Sequence, residues 1–280
     1  MDQLLDLADY RLINGCIFCG GSPDTRDHVP SRILLDAPYP ENLPVVGACK
    51  TCNQGFSKDE QYLVCLLESV FAGSTDPEKI RRPSVARAMK RSPALRARIE
   101  AAKSSINGKT VFYPENDRVK NVILKLARGH AAFELSQPCK EEPDHYWCGA
   151  LETLNEEAQE EFDAAHIQQL LGEIGSRNMQ RMFAAEVLLK SESGAQKKEK
   201  VVVNDWVDVQ EGRYRYLAID DVNGIIIRIV ISEYLACEIG WNIYAEQMQS
   251  LGQYFRCTTS SPVLRALGYL NDNDEHTRCS

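Results

Sequence analysis

The sequence predicts an α+β protein in three parts: a small cysteine-held unit over residues 1–75, a basic helical segment over 76–110, and a C-terminal α+β domain with an antiparallel sheet over 111–280. Three observations carry this. Four cysteines fall into two C-x-x-C pairs, Cys16/Cys19 and Cys49/Cys52. Apolar residues recur at helical spacing after Leu63 and again after Val119. Beyond residue 200 the period changes to β-rich runs separated by turn signals.

Residues 1–15 read as a short helix with Leu4, Leu5, Leu7 and Leu12 apolar, ending at Asn14-Gly15. From Cys16 to Cys52 the chain is rich in Gly, Pro and Asp, and its short apolar runs at Val29, Ile33 to Leu35 and Leu43 to Val46 suit small strands. Ser57-Lys58-Asp59-Glu60 is a capping-box pattern ahead of Leu63, Leu66, Leu67, Val70 and Phe71, which predicts a helix of about four turns ending before Gly73. The basic segment reads as two short helices, the second opening at Ser92-Pro93 with Leu95, Ile99 and Ala102 on one face. Residues 117–135 carry Val119, Val122, Ile123, Leu126 and Phe133 on a helix face, and 155–171 read as an acidic amphipathic helix. After the polar linker Ser191–Lys200, the runs Val201–Val209, Arg213–Ile219 and Ile225–Ile231 read as an antiparallel meander, with Tyr234–Trp241 as a fourth strand.

At 280 residues, 44% hydrophobic and 26% charged, the composition is that of a soluble globular protein. No apolar run reaches the length needed to cross a bilayer and the first residues lack a basic signal-peptide region, so the expectation is a cytoplasmic protein with no membrane partner. A net charge of −8 argues against a protein that coats nucleic acid nonspecifically, because such coating relies on an excess of Lys and Arg. The local balance differs. Residues 78–109 hold ten Lys/Arg against Glu78 and Glu100, leaving +8, while 134–175 hold eleven acids against Lys140, leaving −10. The basic stretch, with Arg91, Arg96 and Arg98 at its centre, is either a nucleic-acid contact or a solvated helix face. The acidic run could occupy that patch as a nucleic-acid mimic.

A C-x-x-C turn folds two thiolates toward one ion, and two such turns supply the tetrahedral soft-ligand set that Zn²⁺ prefers. Structural zinc on Cys16, Cys19, Cys49 and Cys52 is therefore expected, with free buried cysteines or disulfides as the alternative. The 29 residues between the pairs exceed a simple zinc ribbon, so the site closes a loop that carries something else. Cys139, His145 and Cys148 lack a fourth ligand nearby. Cys65, Cys237 and Cys257 read as buried small hydrophobes, and His130 and His166 as structural.

Inside the cysteine-bounded loop lie Arg26-Asp27-His28-Val29-Pro30 and then Asn42-Leu43, followed by Cys49-Lys50-Thr51-Cys52-Asn53 and by Lys58. In this order, over roughly residues 14–70, the chain resembles the HNH, or ββα-metal, endonuclease family. The resemblance implies a zinc-stabilised ββα-metal HNH domain in which His28 activates water as general base, Asp27 and Asn53 hold one catalytic Mg²⁺ or Mn²⁺, and Asn42 steadies His28. The last family position is Asn53 in place of His. Arg26, Arg32 and Lys58 are candidate phosphate contacts. The implied activity is hydrolysis of phosphodiester bonds in nucleic acid, with DNA expected, as in restriction or anti-phage defence. Read without the family, His28 beside Asp27 is a hydrogen-bonded structural pair, Asn42 a turn residue, Asn53 a helix cap, and Arg26, Arg32 and Lys58 solvated charges. The competing functions are a noncatalytic zinc-stabilised module that binds nucleic acid, and an effector nuclease held inactive until a regulatory protein partner triggers it.

Overall fold

A computed structural model describes residues 15–106, 109–190 and 196–243. The helix expected over residues 1–15 and the cysteine at 257 lie outside these residues. The chain is mixed helix and sheet, and every strand pair is antiparallel.

The N-terminal unit runs strand, strand, helix. Strand β1 (Thr25–His28) pairs with β2 (Val45–Ala48), setting His28 opposite Val45, and helix α1 (Lys50–Ala72) follows directly. That helix starts seven residues before the Ser57 pattern. Its N-cap is Cys49, whose Sγ accepts from the Cys52 N–H, while Asp24 Oδ1 accepts from the Lys50 N–H at 2.6 Å. Two partners therefore hold the first turn of α1, and the Ser57 hydroxyl turns back to the Gln54 carbonyl. Gly73 ends α1 in the left-handed conformation, as the sequence predicts.

Helices α2 (Pro83–Arg91) and α3 (Pro93–Ala101) each begin with proline in the first turn. A hairpin of β3 (Lys103–Ile106) and β4 (Lys109–Phe112), not anticipated from sequence, leads to α4 (Asn116–Leu135). Strand β5 (His145–Ala150) follows, then α5 (Glu156–Asp163), β6 (His166–Gln168), α6 (Arg177–Arg181), β7 (Phe183–Lys190) and β8 (Gln196–Asn204). The chain then forms β9 (Val207–Gln210), β10 (Tyr214–Asp221), β11 (Gly224–Ile231) and β12 (Leu235–Trp241).

The expected meander is present as β9 to β12, and β5 adds at its far edge to give the order β5-β12-β11-β10-β9. Two boundaries differ from the sequence reading. The run Val201–Val209 is split at Asp205-Trp206, and its first half, β8, belongs to a separate sheet of order β6-β8-β7. The acidic helix stops at Asp163, because Asp221 captures the backbone N–H groups of Gln169 and Leu170 and His166 starts a strand against Asn204.

One apolar core crosses the expected boundaries after residues 75 and 110. Leu34 and Leu35, the buried second half of α1 (Tyr62 to Ser69), Val85 and Met89 of α2, Ile99 of α3 and the inner face of α4 pack together against Tyr214, Ile227 and Ile239 of the sheet. A partly buried charge network ties the same parts. Arg82 lies 2.7 Å from Asp36 and bonds the Ile33 carbonyl, and Arg213 reaches Asp36 and Glu68. Arg82, counted with the basic stretch, is thus a core residue and no part of a surface patch. Among the described residues no helix is long and apolar enough to cross a membrane.

Candidate metal centre and histidine site

The first C-x-x-C is a tight turn. The Gly20 N–H returns to the Cys16 carbonyl at 2.7 Å, with Gly20 at positive φ, and the Ile17 N–H bonds the Gly47 carbonyl, fastening the turn to β2. The second C-x-x-C caps and opens α1. Together they bring the four sulfurs within 4.8 Å of one another. A tetrahedron with Zn–S bonds of about 2.3 Å has edges of about 3.8 Å, and Cys19 Sγ lies 3.7 Å from Cys49 Sγ. A cluster of Cys16, Ile17, Phe18, Val29, Val46 and Ala48 packs beneath, closed by Ala132 of α4.

The thiols constrain one another. Burial raises the Cys16 thiol, but N–H groups of Cys49, Cys19 and Phe18 outweigh it and bring the group down from 9.0 to about 7. Burial and the neighbouring sulfurs push Cys52 up. Four thiolates need a cation to coexist at this spacing, so the donor set fits Zn²⁺. It is the single His/Cys/Asp/Glu cluster of metal-binding geometry among the described residues, and Cys139, His145 and Cys148 form none.

His28 closes β1, half-buried, beside this centre. Burial lowers its imidazole below the usual range, and the charges of Arg32 and Lys125 push the same way. Its Nδ1 is buried and has no hydrogen-bond partner among the described residues. The structural Asp–His pair is therefore not formed. Asp27 turns inward instead, where the Nζ of Lys125, from the middle of α4, lies 3.0 Å from Oδ1 and 2.9 Å from Oδ2. The same ammonium donates to Ser31 Oγ at 2.6 Å and to Glu60 of α1. Burial raises the Asp27 carboxyl, and Lys125 pulls against it. The sequence reading missed Lys125, although a lone lysine within Val122-Ile123-Leu124-Lys125-Leu126-Ala127 marks a charge on an apolar helix face.

Asn53 stands in the first turn of α1 and is not its cap. Its Nδ2 donates to the Arg26 carbonyl at 3.1 Å and to Thr25 Oγ1 at 3.2 Å, clamping β1 to the helix. Asn42 sits exposed in the turn before β2 and makes no hydrogen bond to His28. The implied Mg²⁺ or Mn²⁺ does not fit these residues as arranged, since the Asp27 carboxylate faces an ammonium across both oxygens.

Arg26 and Lys58 are exposed, and the Arg32 guanidinium stands over the Tyr39 ring at 5.8 Å. Arg91, Arg96 and Arg98 are exposed on α2 and α3, with Arg98 paired to Glu115 at 3.1 Å. Among the described residues no ion pair joins this basic segment to the acidic run, whose members pair elsewhere: Glu134 with Arg181, Glu142 with Lys120 and Arg128, and Asp163 with Arg215. His130 is buried, stacked on Tyr216 with ring centroids 3.8 Å apart and bonded to the Tyr214 hydroxyl, and burial pushes it down to about 3. His166 is held by Asp221. An apolar cavity of about 370 Å³ between α1, β4 and β12 contains none of the predicted site residues. Comparison with known protein families, with curated proteins and with solved structures returned no match.

Proposed function

We propose that the strand–strand–helix unit is an HNH-type nuclease centre that hydrolyses phosphodiester bonds of nucleic acid, DNA being the expected substrate. The observation that carries this is His28: a half-buried imidazole at the end of β1 with a buried, unpartnered Nδ1, next to an aspartate engaged elsewhere. His130 also buries an unpartnered Nδ1, but it is fully enclosed by Tyr214 and Tyr216, whereas His28 is half-buried, and its lowered basicity keeps the ring neutral and able to accept a proton. In the reaction His28 takes the proton of a water whose oxygen forms the new bond to phosphorus, and the ester oxygen departs with the electrons of the broken P–O bond. Arg26 and Arg32 supply positive charge to the phosphate. The zinc centre fixes the turn and helix that flank His28 and takes no part in bond breaking.

A second reading is a noncatalytic zinc-stabilised module that binds nucleic acid. It is favoured by the Lys125–Asp27 contact, which already sets a cation 2.9 Å from the Asp27 carboxylate. Placing Mg²⁺ or Mn²⁺ there, as the family resemblance implies, requires Lys125 to leave.

Zinc-loaded protein incubated with plasmid, linear duplex, single-stranded DNA and RNA, with and without added Mg²⁺ or Mn²⁺, decides between the two. Wild type should cut at least one substrate, and His28→Ala should lose about 10²–10⁴-fold in rate with zinc content and binding unchanged. If wild type cuts none of the substrates better than His28→Ala, the binding-module reading holds.

A further inference from the structure

Lys125 has a complete site of its own. Its side chain is 2% exposed, in the middle of α4, and its three protons have three acceptors: Asp27 Oδ1 at 3.0 Å, Ser31 Oγ at 2.6 Å, and a Glu60 carboxylate oxygen. The Phe56 ring stands 5.7 Å from the ammonium and helps close the cage. The acceptors come from β1, the loop after it and α1, so the cage is assembled from every element of the strand–strand–helix unit except β2.

A divalent cation on Asp27 would need a carboxylate oxygen at about 2.0–2.1 Å, beside an ammonium already 2.9 Å from that carboxylate. Two cations sharing one buried carboxylate repel in a medium that screens poorly. Asn53 cannot relieve this by turning, because both protons of its amide are committed to β1.

We propose that Lys125 is the resident cation of this site. It occupies the Asp27 carboxylate permanently and excludes Mg²⁺ and Mn²⁺ from it. Removing its charge leaves Asp27 and Glu60 as two adjacent carboxylates, and these then form a divalent-cation site. The proposal concerns the same centre as the nuclease reading, but its main test does not depend on cleavage.

The experiment is a Mn²⁺ titration of zinc-loaded, full-length protein, followed by the electron paramagnetic resonance signal of free Mn²⁺, on wild type, Asp27→Asn, Lys125→Gln and the double variant. Wild type and Asp27→Asn should bind equally little Mn²⁺ up to millimolar concentration. Lys125→Gln should take up one Mn²⁺ per chain, lost again in the double variant. A Mn²⁺ bound by wild type and lost in Asp27→Asn overturns the proposal, as does a folded Lys125→Gln that gains none. If Lys125→Gln does not fold, Lys125→Met takes its place; if neither folds, the comparison of wild type with Asp27→Asn decides. Cleavage assays separate the two readings. Complete inactivity defeats the nuclease reading and leaves the Mn²⁺ result standing, whereas wild-type cleavage that requires Mg²⁺ and is lost in Asp27→Asn supports the nuclease and overturns the resident cation.

Discussion

Asn53 Nδ2 donates to the Arg26 carbonyl 3.1 Å away, so the first turn of α1 holds the strand that carries His28. The second proton of the same amide goes to Thr25 Oγ1. Asn53→Ala removes both bonds and should destabilise the protein by about 1–3 kcal/mol at a typical net worth per bond, read as a shift in the urea midpoint. A midpoint unchanged from wild type would mean that the clamp contributes nothing to stability.

The cysteine centre predicts one zinc per chain. Cys49→Ser removes a ligand and the sulfur that caps α1. Metal analysis should find zinc content falling well below one per chain, with the thermal midpoint lowered and the two moving together across Cys16, Cys19 and Cys52 variants. Full zinc occupancy in Cys49→Ser would refute the four-cysteine site.

Gly129 lies inside α4, where glycine ordinarily costs about 1 kcal/mol against alanine. A Cβ there would stand 2.5 Å from Cγ2 and 2.9 Å from Cγ1 of Val29, the residue after His28. Gly129→Ala should therefore destabilise by about 1–3 kcal/mol through overpacking, against its helix propensity. Adding Val29→Ala should recover part of the loss, because it opens the space the new methyl needs. A double-mutant cycle with strictly additive effects would show that the two positions do not compete.

Asp221 accepts N–H bonds from Leu170 and Val222 at 2.8 Å and from Gln169 at 3.0 Å, and holds His166 at 2.8 Å. Burial raises its carboxyl, but the Gln169 N–H, the His166 ring and the other two N–H groups outweigh it and leave the group below the usual range. A folded value below the unfolded one gives stability that is fully present above pH about 4 and is lost as pH falls through the folded value. Asp221→Asn should lower stability at pH 7 by about 1–3 kcal/mol and flatten the acid limb of the stability profile. An acid limb of unchanged slope would contradict the assignment.

Arg91 and Arg96 form no ion pair among the described residues, whereas Arg98 is engaged by Glu115. If the basic helices contact phosphates, Arg91→Ala/Arg96→Ala should reduce the slope of log binding constant against log salt by about 2, and adding Arg98→Ala should change it little. An unchanged slope in the double variant would assign these arginines to a solvated face.

How much of this was written in the sequence depends on the range over which each feature is decided. The cysteine spacing, the proline that opens α3, Gly73 at the end of α1 and the turns of the meander are local chemistry, and each stands where the residues place it. The start of α1 is not legible locally, because a tidy capping pattern at Ser57 competes with a cap made by Cys49 and Asp24, 25 residues apart. The end of the acidic helix is not legible locally either, because Asp221, about 50 residues downstream, takes the backbone donors of Gln169 and Leu170. At the site, Asp27 and His28 were legible as a pair of residue types, but their roles were not. Lys125, 98 positions away, separates them.

The first half of α1 carries Asn53, Phe56 and Glu60 at the histidine site, and its second half is enclosed by α4 and the sheet. A helix shared in this way prevents the strand–strand–helix unit from behaving as a portable cassette. Cut free at residue 75, it would expose Leu63, Leu66 and Leu67 to water and leave Asp27 without its lysine. Recombination between proteins could not pass this centre on by moving its first quarter alone; the site and the C-terminal sheet have to be inherited together.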